Sequence, residues 1–195
     1  MFQETLFATD SAIDRRLFLR RVGNTAVLMT ASGAILSTAN CGGNLAQALR
    51  FANLDEALKA VDGLAEKGKI DTHGPWNVPQ ILIHLAQSIE YSMTGYPENK
   101  SVIIRKTIGR LVLSRFLSQG YMTHNLSDPI PGAPALDANA SLQEGIARLK
   151  KAVADFRSFQ DELKIHFVYD KVTRDEYERV QAMHVANHLS AFTYG

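Results

Sequence analysis

The chain has 195 residues with 21 Lys and Arg against 20 Asp and Glu, a formal net charge of +1. That length makes one domain able to bury a core without staples. The mixed charges lack the basic footprint of a nucleic-acid binder, so no nucleic-acid partner is expected. A single cysteine, Cys41, excludes an intramolecular disulfide.

The N-terminus reads as an address. Asp14-Arg15-Arg16-Leu17-Phe18-Leu19-Arg20 resembles a twin-arginine translocation signal, with Arg15, Arg16, Phe18 and Leu19 in their expected places. The run Val22 to Ala39 is diluted by Gly23, Asn24, Thr25, Thr30, Ser32 and Gly33, too polar for a comfortable membrane span. Ser37-Thr38-Ala39 offers small residues for cleavage after Ala39. Residues 1–39 therefore read as a leader, with an uncleaved anchor, or lipidation at Cys41, as alternatives. The expected partner is the twin-arginine translocase and the expected location the periplasm or beyond.

From Asn53 the apolar spacing becomes helical. Leu54, Leu58, Val61 and Leu64 form one stripe that stops at Lys67-Gly68. Asn77 as N-cap and Pro79 in the first turn open a second helix, which carries Ile81, Leu82, Leu85, Ile89 and Met93 and stops at Gly95-Tyr96-Pro97. Val102 to Leu117 is a third, apolar segment punctuated by Arg105, Lys106, Arg110 and Arg115, whose heads can reach water. Asp128 to Pro134, rich in proline, predicts an extended loop over the surface. Ser141 with Glu144 is a capping box for a fourth helix, Leu142 to about Phe159, and Thr173 with Glu176 opens a fifth. No strand alternation is visible. The pattern predicts an all-α fold, an up-and-down four-helix bundle with an extra N-terminal helix.

Chemistry enters through histidine. His184 and His188, four apart on the fifth helix, share a face with Tyr177 and Val180. Cβ atoms at that spacing lie about 6 Å apart, so both rings can reach one ion at roughly 2.0–2.1 Å. If the second and fifth helices are neighbours, His84 supplies a third nitrogen, and three ligands leave a coordination position open for water or an exogenous ligand. The alternative for each ring is a hydrogen-bonded core histidine. Zinc is the first choice of ion, with nickel, iron or manganese behind it, because neutral nitrogens discriminate poorly among first-row metals. Glu90, Tyr91 and Tyr177 are the nearest polar groups able to act as acid or base. His166 precedes the fifth helix and is expected to bond backbone; His73 and His124 lie in loop-like sequence with no partner at ligand spacing.

Gly74-Pro75-Trp76-Asn77, Ile81 to Ala86 and Ser88 to Pro97, with His166 to Thr173, Glu176-Tyr177 and His184-x-x-x-His188-Leu189, resemble the DUF1569 branch of the DinB/YfiT-like metalloenzyme superfamily over residues 53–193. The resemblance implies a DinB-like four-helix bundle in which His84, His184 and His188 bind a divalent cation, and Trp76 anchors the second helix. It implies a metal-dependent hydrolase, or a transferase using a small thiol, of unassigned substrate. Asn187, Ala191, Phe167 and Asp170 depart from the family's usual histidine, glutamine, proline and glycine. The alternative is accordingly a non-catalytic periplasmic binding or interaction protein with a degenerate metal site.

Overall fold

The computed structural model describes residues 49–195, so Arg15, Arg16, Phe18, Leu19 and Cys41 lie outside the described residues. Helix α1 (Leu54–Asp62) starts at Asn53, whose side chain accepts from the Glu56 N–H at 3.0 Å, and runs into a 3-10 turn, Gly63–Glu66. Leu54, Ala57, Val61 and Leu64 are buried. Strand β1 (Ile70–Thr72) follows, then α2 (Val78–Thr94). The start of α2 is doubly capped: Gln80 N–H donates to Asn77 Oδ1 at 2.9 Å, and Asn77 N–H donates to Gln80 Oε1 at 3.0 Å.

Every residue from Ile81 to Ile89 is buried, so α2 is enclosed around its circumference and occupies the centre of the fold. Helix α3 (Val102–Ile104), a π-helical turn (Arg105–Gly109) and α4 (Arg110–Gln119) continue as one rod, all junction residues having right-handed helical backbone. The rod ends at Gly120, φ +72°. Helices α5 (Leu142–Ser158) and α6 (Arg174–Leu189) begin at the Ser141–Glu144 and Thr173–Glu176 capping boxes, and β2 (Phe192–Tyr194) closes the chain.

Helix α5 lies along α2, and Gly145 makes that approach close: a Cβ there would sit 3.1 Å from Leu82 Cβ. Helix α6 packs on α1, α2 and α4, while α1, expected as an addition, also contacts α5 and belongs to the core. The strands, which the sequence reading does not anticipate, pair antiparallel from Ile70–Tyr194 to Thr72–Phe192. Three-residue strands are too short for alternation to register, and their pairing ties the segment between α1 and α2 to the one after α6. Among the described residues no helix is long and apolar enough to cross a membrane.

Two further departures concern the site. The 128–134 loop does not merely cross the surface. Ile130 is buried, and the side-chain amides of Gln87, Gln80 and Asn77 on and before α2 donate to the carbonyls of Pro134, Leu136 and Ala138. In the rod, the π-helical turn directs Arg105 and Gly109 inward while Ile103, Ile108 and Leu111 stay exposed. Single π turns insert an extra residue and redirect the face of a helix, which a continuous apolar pattern conceals.

Gly109 lies against the Val168 carbonyl, and a Cβ would overlap it. Gly109→Ala should therefore cost about 1–3 kcal/mol through forced displacement of backbone. Its urea midpoint should fall with an unchanged slope, whereas a midpoint equal to wild type would mean the loop yields freely.

Candidate metal centre

Two helices bring the three expected histidines together. His84 faces α6 from the first half of α2, and His184 and His188 answer it from the last two turns of α6. Ring centroids are 5.1 Å apart for His84–His184, 5.1 Å for His84–His188 and 5.0 Å for His184–His188. One nitrogen from each lies within 4.8 Å of the others.

The register of α2 on α6 is fixed one turn away. Gln181 Nε2 donates to the Ser88 carbonyl at 3.1 Å, and the Tyr96 hydroxyl donates to the same oxygen at 3.0 Å. Ser88 is one turn beyond His84 and Gln181 nearly one turn before His184. A buried amide without that acceptor would be left unsatisfied, so sliding of the helices is resisted where it would separate the rings.

The three rings are 3 %, 9 % and 1 % exposed, in the order His84, His184, His188. His84 Nδ1 and both nitrogens of His188 have no hydrogen-bond partner within the protein. Buried polar atoms are rarely orphaned, and each costs about 1–3 kcal/mol when it is. A cation would satisfy orphaned lone pairs, and three neutral imidazoles fit zinc and its first-row neighbours. Burial first, then repulsion from His124, holds the His84 pKa down to about 4. Burial, reinforced by the neighbouring histidines, holds His184 and His188 well below the ordinary imidazole value. All three are thus neutral near pH 7, the form that ligates metal.

The sign of the resulting pH dependence is determined. An imidazole that protonates near 6.5 in the unfolded chain but only near 4 in the fold makes the unfolded state the tighter proton binder between those values. Metal-free stability should be unaffected by His84 above pH 6.5 and fall as pH drops toward 4, by about 3 kcal/mol from this residue alone. Urea unfolding in chelator at a series of pH values from 7.5 downward would check it; a flat profile through that window would contradict neutral burial.

Trp76 is half-buried, with its ring 5.0 Å from His84, so it walls the site as well as anchoring α2. The expected acid–base groups are engaged elsewhere. Glu90 accepts from Arg148 Nε and Nη2 at 3.0 and 2.8 Å, the Tyr177 hydroxyl donates to the Lys164 carbonyl at 2.8 Å, and Tyr91 packs on Tyr96. His166 bonds backbone as expected: its Nδ1 accepts from the N–H groups of Val168 and Tyr169 at 3.1 and 3.3 Å. Burial pushes its pKa down to about 3. His73 is exposed and stands outside the three-ring cluster, although it lines a small cavity with Trp76 and His188.

His124 is the residue that sequence reasoning misses. Its ring centroid lies 4.9 Å from His184 and 5.2 Å from His188. No spacing rule reveals this, because loop folding delivers it across 60 residues. Beside the cluster opens a cavity of about 480 Å³, with Val112, Phe116, Ile130, Phe167 and Val180 as apolar walls and His84, His124 and His184 at its polar end.

The family described as "Protein of unknown function (DUF1569)" matches residues 43–194. No curated protein and no solved structure matches the chain. The match spans most of the sequence, including the three clustered histidines and both strands, and the chain belongs to the DUF1569 family.

Proposed function

We propose that this chain is an exported, divalent-metal-binding helical protein of the DinB-like four-helix kind, acting as a hydrolase or thiol-dependent transferase on a small substrate. The observation that carries the reading is the convergence of three buried histidines, two of which carry ring nitrogens with no protein partner. His84, His184 and His188 would hold the ion, zinc first and nickel, iron or manganese behind it. Such an ion lowers the pKa of a water or thiol at its open position, giving a nucleophile near neutral pH.

The chain's own residues do the rest. Phe116, Ile130 and Val180 exclude water and favour an apolar substrate body, while the Ser88–Gln181 link keeps the ligand rings in register. Export rests on Arg15, Arg16, Phe18 and Leu19. Changing both arginines to Lys should retain the chain in the cytoplasm, read by fractionation.

Elemental analysis of the purified mature protein, with and without His188→Ala, tests the metal reading. A filled wild type and an empty variant are expected. A wild type that is empty and also refuses zinc and nickel would sink it. One observation favours a second reading, a non-catalytic periplasmic binding protein: Glu90 and Tyr177, two of the three expected acid–base groups, are committed to Arg148 and the Lys164 carbonyl. A metal-loaded protein inert toward thiols and hydrolysable esters would favour that reading.

A further inference from the structure

His124 stands in the loop between Gly120 and Ser141, exposed to solvent, yet its distances to His184 and His188 match those within the buried trio. Its Nδ1 lies 2.8 Å from the Asn125 carbonyl oxygen. A carbonyl only accepts, so Nδ1 carries the proton and Nε2 keeps its lone pair. A ligating histidine is typically arranged in this way, with one ring nitrogen donating to a carbonyl and the other left for the metal. The turn that holds the ring is stapled within itself: Asn125 Nδ2 donates to Asp128 Oδ1 at 2.7 Å, and Ser127 N–H donates to Asn125 Oδ1 at 3.1 Å.

We propose that His124 is a fourth, exchangeable ligand of the ion held by His84, His184 and His188, filling the position those three leave open until an anionic or thiol donor displaces it. The inference rests on the metal reading above and specifies how access to that site is controlled. The three helix-borne rings are buried and locked by the α2–α6 register, whereas His124 is held only by bonds within residues 124–128. The set of nitrogens within 4.8 Å of one another contains the helix trio alone, so His124 completes the shell by a small advance of its loop. The same loop supplies Thr123 and Asp128 to the cavity wall, so withdrawal of His124 opens the position directly into the 480 Å³ space where a substrate would lie. A fixed fourth helical ligand would instead make a closed, structural site.

Co²⁺ is the probe, because its visible spectrum reports the number and kind of its ligands. The full mature chain, His124→Ala and His184→Ala are compared, with thermal melting in chelator to show that each is folded. His124→Ala should still bind Co²⁺, roughly tenfold more weakly, with an altered visible spectrum that millimolar imidazole returns to the wild-type form. Its affinity for 2-mercaptoethanol, read from the thiolate-to-cobalt band, should rise about tenfold because no ligand need leave. If His124→Ala matches wild type in spectrum, cobalt affinity and thiol affinity while His184→Ala fails to bind, the fourth ligand is refuted and the three-histidine site stands. If the wild type binds neither Co²⁺ nor Zn²⁺, both readings fall together.

Discussion

Zinc at a hundred times its dissociation constant should stabilise the metal-free protein by about 2.7 kcal/mol, a rise of about 5–10 °C in melting temperature for a folded region of about 150 residues. His188→Leu should abolish that response and yet be more stable than wild type when both are kept metal-free. The reversal follows from the position of His188. It is 1 % exposed, and neither ring nitrogen finds a protein partner. Leucine is apolar and of comparable size, so it removes an unsatisfied buried polar group without leaving a large void. The metal-free gain should be about 1–2 kcal/mol. In zinc the order inverts, because the variant has lost one of three ligands and wild type alone gains the binding energy. Melting curves of both proteins in chelator and in zinc give four numbers, and the crossing of the two pairs is the signature. A variant less stable than wild type in chelator would show that His188 is a satisfied core residue, and the site would lose its main support.

The parts of this molecule that can be read without coordinates are those whose causes are local. Asn77 as an N-cap, and the boxes of Ser141 with Glu144 and Thr173 with Glu176, act within four residues of chain, and all three caps form. The pairing of His184 with His188 is likewise a matter of helical spacing, and His84 joins them because α2 is apolar enough to be central. What is hidden depends on distant chain. The partners in the Ile70–Tyr194 register are joined only by the completed fold, and the π-helical turn replaces an apparently uninterrupted helix. His124 is hidden for the same reason: its neighbours are set by a loop whose course is pinned by Gln80, Gln87 and Asn77. The roles of Glu90 and Tyr177 change because their partners, Arg148 and the Lys164 carbonyl, come from α5 and from the segment before His166.

The 166–170 loop shows how a strained backbone position is accommodated. Asp170 has φ +63°, the left-handed region that favours glycine and costs a side chain about 1–2 kcal/mol. Its carboxylate accepts from Arg105 Nη1 at 2.6 Å, with the two side chains 9 % and 15 % exposed. Arg105 Nε also donates to the Lys100 carbonyl at 3.0 Å, so the π-helical turn is tied to both ends of the loop's surroundings. Arg105→Ala strands a largely buried carboxylate on a strained backbone and should cost about 3–5 kcal/mol. Asp170→Gly also breaks the pair, but it relieves the backbone and leaves the guanidinium its bond to Lys100, so its loss should be smaller, about 1–3 kcal/mol. Combining Arg105→Ala with Asp170→Gly removes both charges, supplies the residue the backbone favours, and should lose about 1–3 kcal/mol less than the sum of the two single losses. Urea midpoints of these proteins measure the coupling, and simple addition of the two single losses would refute the compensation. The zinc response should survive in all of them, since His84, His184 and His188 are carried by α2 and α6 and not by this loop. Ligand binding in the cavity should weaken with Arg105→Ala, because Phe167, Val168 and Tyr169 form one of its walls.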